Sequence, residues 1–183
     1  MTIQFNAKLY KIGSLTLLSL PKSASTKLPS RGMAMVEGNL NGFPFQTALE
    51  PDGKGSHLLR VDQAMLLAAH VDIGDTPTLI IKPITEWPEP KVPEDLKNAL
   101  TANPKAKETW IDITPMARWD WIRWISSTKN EETRKKRIEK TFSKFKSGLR
   151  RPCCFNRTQC TLPDISKNGV VLEPTQTTTP KAK

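Results

Sequence analysis

Between residues 88 and 93 the chain carries three prolines in six positions, Pro88, Pro90 and Pro93. Proline lacks an amide hydrogen and clashes with the preceding helical turn, so this stretch excludes helix and favours a stiff, extended connector. The hydrophobic period changes across it. Before it, apolar residues fall in short runs broken by turn residues; after it, they recur every three or four positions. The sequence therefore divides into a β-rich part at 1–86, a connector at 87–93, a helical part at 94–150 and a tail at 151–183 that holds the three cysteines.

In the first part, Ile3 to Leu9 alternates apolar and polar residues as a strand does, and Leu15 to Leu20 follows, stopped by Pro21. Lys22 to Ser30 reads as a loop. Met33 to Leu40 runs into Asn41-Gly42, a pair that accepts positive φ at both centres of a tight hairpin turn. Phe43 to Leu49 returns, with Pro44 marking a strand start or an edge. Ser56 to Val61 is a further strand, Asp62 caps a short helix over Gln63 to Ala69, and Thr76 to Ile84 is rich in β-branched residues. Short strands with one small helix suggest a compact barrel or sandwich.

The second part carries four helix starts. Pro93 precedes Glu94 and Asp95, whose charge suits a helix N-terminus. Asn103-Pro104, Thr114-Pro115 and Asn130 with Glu131 and Glu132 repeat the signal. Ala117, Trp121, Trp124 and Ile125 make one stripe, and Ile138, Phe142, Phe145 and Leu149 another. The tail beyond Leu162 has few apolar residues and is expected to lack fixed structure.

Charge separates the halves. Residues 1–90 balance to zero, so the whole excess of +10 lies in residues 91–183. Such asymmetry points the second half toward an anionic partner, whether nucleic acid, an acidic protein or an anionic membrane surface. No apolar run is long enough to span a membrane. Lys8 and Lys11 before Ile12 to Leu20 imitate a signal peptide, but Gly, Ser and Thr dilute the segment and the strand alternation fits better. The expectation is therefore a cytoplasmic protein. Cys153, Cys154 and Cys160 are odd in number, lack CxxC spacing and have no histidine near them in sequence, which argues against a disulfide framework or a zinc site.

Phosphate loops, dinucleotide fingerprints, nucleophile elbows and HExxH are all missing, so no catalytic set and no metal or cofactor is expected. The candidate contact residues are cationic: Lys129, Arg134, Lys136, Arg137 and Lys140 surround one amphipathic helix. Trp119 points off the Trp121/Trp124 stripe and is the aromatic candidate for an interface. Arg134 has an alternative role, pairing internally with Glu131 or with a carboxylate on a neighbouring helix. His57 follows a glycine-rich turn and is the lone proton-transfer candidate; the alternative to a binding protein is an enzyme in a barrel–helix cleft with His57 as acid or base.

Val92-Pro93-Glu94-Asp95-Leu96, Ala99-Leu100, Trp121-Ile122-Arg123-Trp124-Ile125, Lys129, Glu132-Thr133-Arg134 and Arg137-Ile138 resemble the bacteriocin-protection or YdeI/OmpD-associated family. Val36-Glu37-Gly38, Asn41-Gly42-Phe43-Pro44-Phe45, Pro51-Asp52-Gly53, Gly55-Ser56-His57 and Gly74-Asp75 resemble the domain of unknown function that often precedes it. The resemblance implies an α+β chain: a small N-terminal β-barrel of double-split type, then a basic helical bundle and a disordered tail. Its label points to antimicrobial tolerance or the cell envelope, and the expected function is a bacterial binding or stress-tolerance protein. Two positions depart from the pattern. Ser126-Ser127-Thr128 stands where alanine is expected before Lys129, and Pro77 interrupts a strand usually rich in valine.

Overall fold

The computed structural model describes residues 1–152 and 157–174. The described residues form two compact units, one of Met1–Thr85 with the described residues from Asp164 onward, the other of Glu86–Pro163.

The first unit is a curled antiparallel sheet of seven strands. In chain order these are β1 (Ile3–Asn6), β2 (Leu9–Ile12), β3 (Leu15–Ser19), β4 (Ala34–Leu40), β5 (Phe43–Pro51), β6 (His57–Arg60) and β7 (Thr78–Pro83). Their spatial order is β1-β7-β4-β5-β6-β3-β2. The single strand expected over Ile3 to Leu9 is thus two strands at opposite ends of the sheet. Ala7 and Lys8 carry the chain across, with the Ala7 amide donating to the Pro77 carbonyl at 3.4 Å and the Leu9 amide to that of Asp75 at 2.8 Å. The edges are drawn together and the sheet curls around Leu9, Leu18, Val36, Leu40, Leu59 and Leu79, all fully buried. Pro77 falls just before β7, where its missing amide costs no ladder bond.

Asn41 and Gly42 form the expected turn, with φ of 49° and 90°. The Asn41 side-chain Nδ2 also donates to the Ala69 carbonyl at 3.0 Å, tying the turn to the end of helix α2 (Gln63–Ala69). Residues Lys22–Ser25, expected as loop, form a short helix α1. Pro21 supplies its first acceptor, taking the amides of Ala24 and Ser25 at 3.0 and 2.9 Å, and both residues are buried.

The expectation of a structureless tail from Leu162 is corrected for its described residues. After a turn at Pro163–Ile165, strands β8 (Ser166–Lys167) and β9 (Val170–Val171) form a hairpin. The apolar residues are few but well placed: Ile165 is 2% and Val171 4% exposed, and the Val171 amide donates to the Asp52 carbonyl at 3.0 Å. Cys153 and Cys154 lie outside the described residues; Cys160 is a free thiol.

The second unit holds α3 (Glu94–Ala102), α4 (Pro104–Asp112), α5 (Pro115–Ser126), α6 (Glu131–Lys146) and α7 (Arg157–Thr161). Asn103, Thr114 and Asn130 each accept the amide three residues on, as their sequence contexts predict. Trp121, 1% exposed, anchors the core edge-on to Phe145 at 5.4 Å and to Trp124 at 5.9 Å. Arg118 of α5 closes the end of α4, donating to the carbonyls of Trp110, Ile111 and Ile113. The connector packs within this unit: Pro90 is buried and Arg118 pairs with Glu89.

Candidate functional site

Helix α6 carries the local excess of positive charge, and its sequence explains its limits. Asn130 caps it, Glu131 and Glu132 sit in its first turn, and Lys144 and Lys146 in its last. Ile138, Thr141 and Phe145 are its buried side.

The two arginines among the candidate contacts are used inside the unit. Arg134 grips Asp95 of α3 with a fork, Nε to Oδ2 at 2.8 Å and an η nitrogen to Oδ1 at 3.0 Å. That contact holds the Asp95 carboxyl below its ordinary pKa, against the opposing effect of partial burial. Arg137 caps the end of α5, donating to the Trp124 carbonyl and the Ser127 hydroxyl, with its guanidinium 5.4 Å from the Trp124 ring centroid. Ser127, one of the departures from the family pattern, also donates to the Cys160 carbonyl at 2.9 Å.

The lysines are placed differently. Lys129, Lys135, Lys136, Lys140 and Lys146 are exposed and Lys144 half-exposed. Lys136 meets Glu132 at 3.3 Å, a pair with both side chains in water and therefore weak. Lys136, Lys140 and Lys144 follow each other at i, i+4 and i+8 on the side away from the buried stripe. A groove of about 730 Å³ lies beside α6, floored by Ala99, Ile138 and Phe142, but its walls carry both signs: Lys129 and Lys135 with Glu94, Glu131 and Glu139. The cationic surface is the outer ridge, not the groove.

Trp119 is not an open stacking platform. Its indole N–H donates to the Pro88 carbonyl at 2.8 Å and its ring meets Trp87 edge-on at 6.3 Å.

His57 lies in the first unit at the start of β6, 2% exposed. Its Nε2 is 2.7 Å from the Gly32 carbonyl and its Nδ1 is 2.7 Å from the Ser25 hydroxyl. Burial pushes the imidazole pKa down, outweighing the Gly32 contact and the charge of Asp52, which pull it up. Asp52, also buried, accepts the amides of Lys54 and Ser56 at 2.7 and 2.8 Å, so its turn is built by its own side chain.

Of the two partners the sequence allowed Arg134, the structure uses the carboxylate on a neighbouring helix, Asp95, and not Glu131. The sequence reading missed Ser25 as the partner of His57, for which it held no local signal. Among the described residues no group of three or more His, Cys, Asp or Glu is placed to hold a metal ion, and no helix is long and apolar enough to cross a membrane.

No curated protein matches the chain. Residues 5–81 match the domain of unknown function DUF1905, which here is the curled sheet. Residues 89–148 match the family described as bacteriocin-protection, YdeI or OmpD-associated, which here is the helical unit through α6. The two matches, in this order and meeting near the proline connector, show a DUF1905 domain over residues 5–81 followed by a bacteriocin-protection, YdeI or OmpD-associated domain over residues 89–148.

Proposed function

We propose that this chain is a cytoplasmic binding protein of bacterial stress or antimicrobial tolerance that meets an anionic partner through the lysine ridge of α6. The observation that carries the reading is the division of labour on that helix. Arg134 and Arg137 are held by Asp95, Trp124 and Ser127, whereas Lys136, Lys140 and Lys144 point outward with one weak carboxylate contact between them. A charge excess that outlasts the internal pairing is what a polyanion-contacting face requires. The contact set is accordingly Lys129, Lys136, Lys140 and Lys144, and the arginines are its scaffold.

The test is a salt titration of the whole protein against duplex DNA, single-stranded RNA and anionic vesicles. Replacing Lys136, Lys140 and Lys144 together with Ser weakens binding and leaves the melting temperature within about a degree or two, because exposed substitutions rarely change stability by more than ~0.5 kcal/mol. For duplex DNA the slope of log affinity against log salt falls by up to ~0.9 for each lysine that meets a phosphate. Arg134→Ser does the reverse, lowering the melting temperature first. If wild type binds none of the three at low salt, the ridge is only a solvated face and the reading fails.

A further inference from the structure

The first unit contains a serine–histidine pair whose hydrogen-bond direction is fixed by its surroundings. The Gly32 carbonyl can only accept, so Nε2 of His57 carries the ring proton and donates it at 2.7 Å. Nδ1 is then the basic nitrogen. The Ser25 hydroxyl, 2.7 Å away, is the donor in the remaining contact. A hydroxyl donating to an imidazole that a third group orients is the arrangement by which a serine is activated as a nucleophile. Burial keeps the ring neutral and so able to take a proton at neutral pH, while the nearby charge of Asp52 favours the imidazolium that would form.

The pair is reachable. Ser25 and His57 both line a cavity of about 120 Å³ whose other walls include Thr26, Ser30, Arg31 and Gly55, all exposed. Arg31 brings positive charge to this rim, where negative charge develops on the oxygen of an attacked carbonyl. The volume admits a two- or three-carbon acyl group and little more.

We propose that Ser25 and His57 are a nucleophile and general base acting on short-chain acyl esters, with the Gly32 carbonyl as the positioning group. Ser25 Oγ bonds to the acyl carbon as its proton passes to Nδ1 of His57. The imidazolium returns that proton to the departing alkoxide, and the alcohol leaves. Water, deprotonated by the same nitrogen, then attacks the acyl-serine, releasing the carboxylic acid and restoring Ser25. With a carbonyl in place of a carboxylate behind the histidine, the imidazolium is less well stabilised and turnover is slow, so trapping the serine is a sharper readout than steady-state rate.

The experiment treats the full chain at pH 8 with methanesulfonyl fluoride, a probe small enough for the cavity. Sulfur bonds to Ser25 Oγ, fluoride leaves, and His57 takes the proton. Cleavage after Lys22 and after Lys27 releases the tryptic peptide Ser23-Ala24-Ser25-Thr26-Lys27, in which the adduct is located by fragmentation. The proposal expects the adduct on Ser25 of the folded protein and not of the heat-denatured protein. Labelling falls with pH as the imidazole protonates. Ser25→Ala abolishes it, and His57→Gln slows it by roughly 10²–10⁴-fold, the usual worth of a positioned base. Equal labelling of folded and denatured protein, or no adduct on folded Ser25, overturns it, and neither comparison depends on a variant that folds.

Discussion

His57 shows how one buried side chain makes a pH dependence. Its folded pKa lies below the ordinary 6.5, because burial disfavours the charged ring. The unfolded chain therefore binds the proton more readily. The resulting stability is fully present above pH 6.5 and is lost as pH falls below that value toward the lowered folded one. The charged group that acts on the ring is Asp52, which favours the protonated form; Arg31 lines the same cavity as His57. Urea unfolding followed by far-UV circular dichroism between pH 7.5 and 5 should show wild type losing stability toward acid. His57→Gln should have a shallower dependence and a lower stability at pH 7.5, by about 1–3 kcal/mol if the Ser25 hydroxyl or the Gly32 carbonyl is left unpaired. Parallel profiles for the two proteins would mean that the imidazole does not titrate on unfolding.

Elements whose signals are local were legible in the sequence, and those assembled from distant residues were not. Asp62, Asn103, Thr114 and Asn130 each cap the helix their neighbours announce, because the acceptor and the amide it satisfies are three residues apart. The Asn41-Gly42 turn is local in the same sense. The crossing at Ala7-Lys8 was hidden, since alternation continues through it while the strand changes edges. The Arg134–Asp95 fork spans 39 residues and the Ser25–His57 bond 32, so composition alone could mark arginines and a histidine without saying what they face. The β8–β9 hairpin was hidden for a third reason: its order comes from a seat, not from its own composition. Gly53 provides that seat, with φ of 77° and a backbone so close that a Cβ would sit 1.9 Å from the Gly169 carbonyl oxygen. Gly53→Ala should therefore displace the hairpin. The amide of Val171, bonded to Asp52, and that of Leu172, bonded to Ile165, should exchange with deuterium much faster, while amides of β4 and β7 stay protected. Unchanged exchange at Val171 would mean that the hairpin holds without this contact.

At the scale of the whole molecule, the placement of tryptophan offers a way to test the division into two units. All five tryptophans, Trp87, Trp110, Trp119, Trp121 and Trp124, fall within Glu86–Pro163, so their fluorescence reports the helical unit alone. Far-UV circular dichroism reports both. Two lesions then have separate signatures. Ending the chain after Pro163 removes Ile165 and Val171 from the first unit, at a cost of up to ~1.5–3 kcal/mol for each buried side chain. It should lower the dichroism transition of the sheet and leave the fluorescence midpoint in place. Asp95→Asn weakens the Arg134 fork in the second unit, so the fluorescence midpoint should fall instead. A charged fork between partly exposed groups is worth less than a buried one, and ~1 kcal/mol is the expected scale. The Asp95 contact also has an acid signature of its own: because the folded carboxyl pKa is depressed, its stabilisation is present above the ordinary 3.8 and disappears as pH falls through the lowered value. If truncation after Pro163 moves the fluorescence midpoint as far as the dichroism transition, the two units melt as one and the boundary at Thr85–Glu86 is not a boundary in stability.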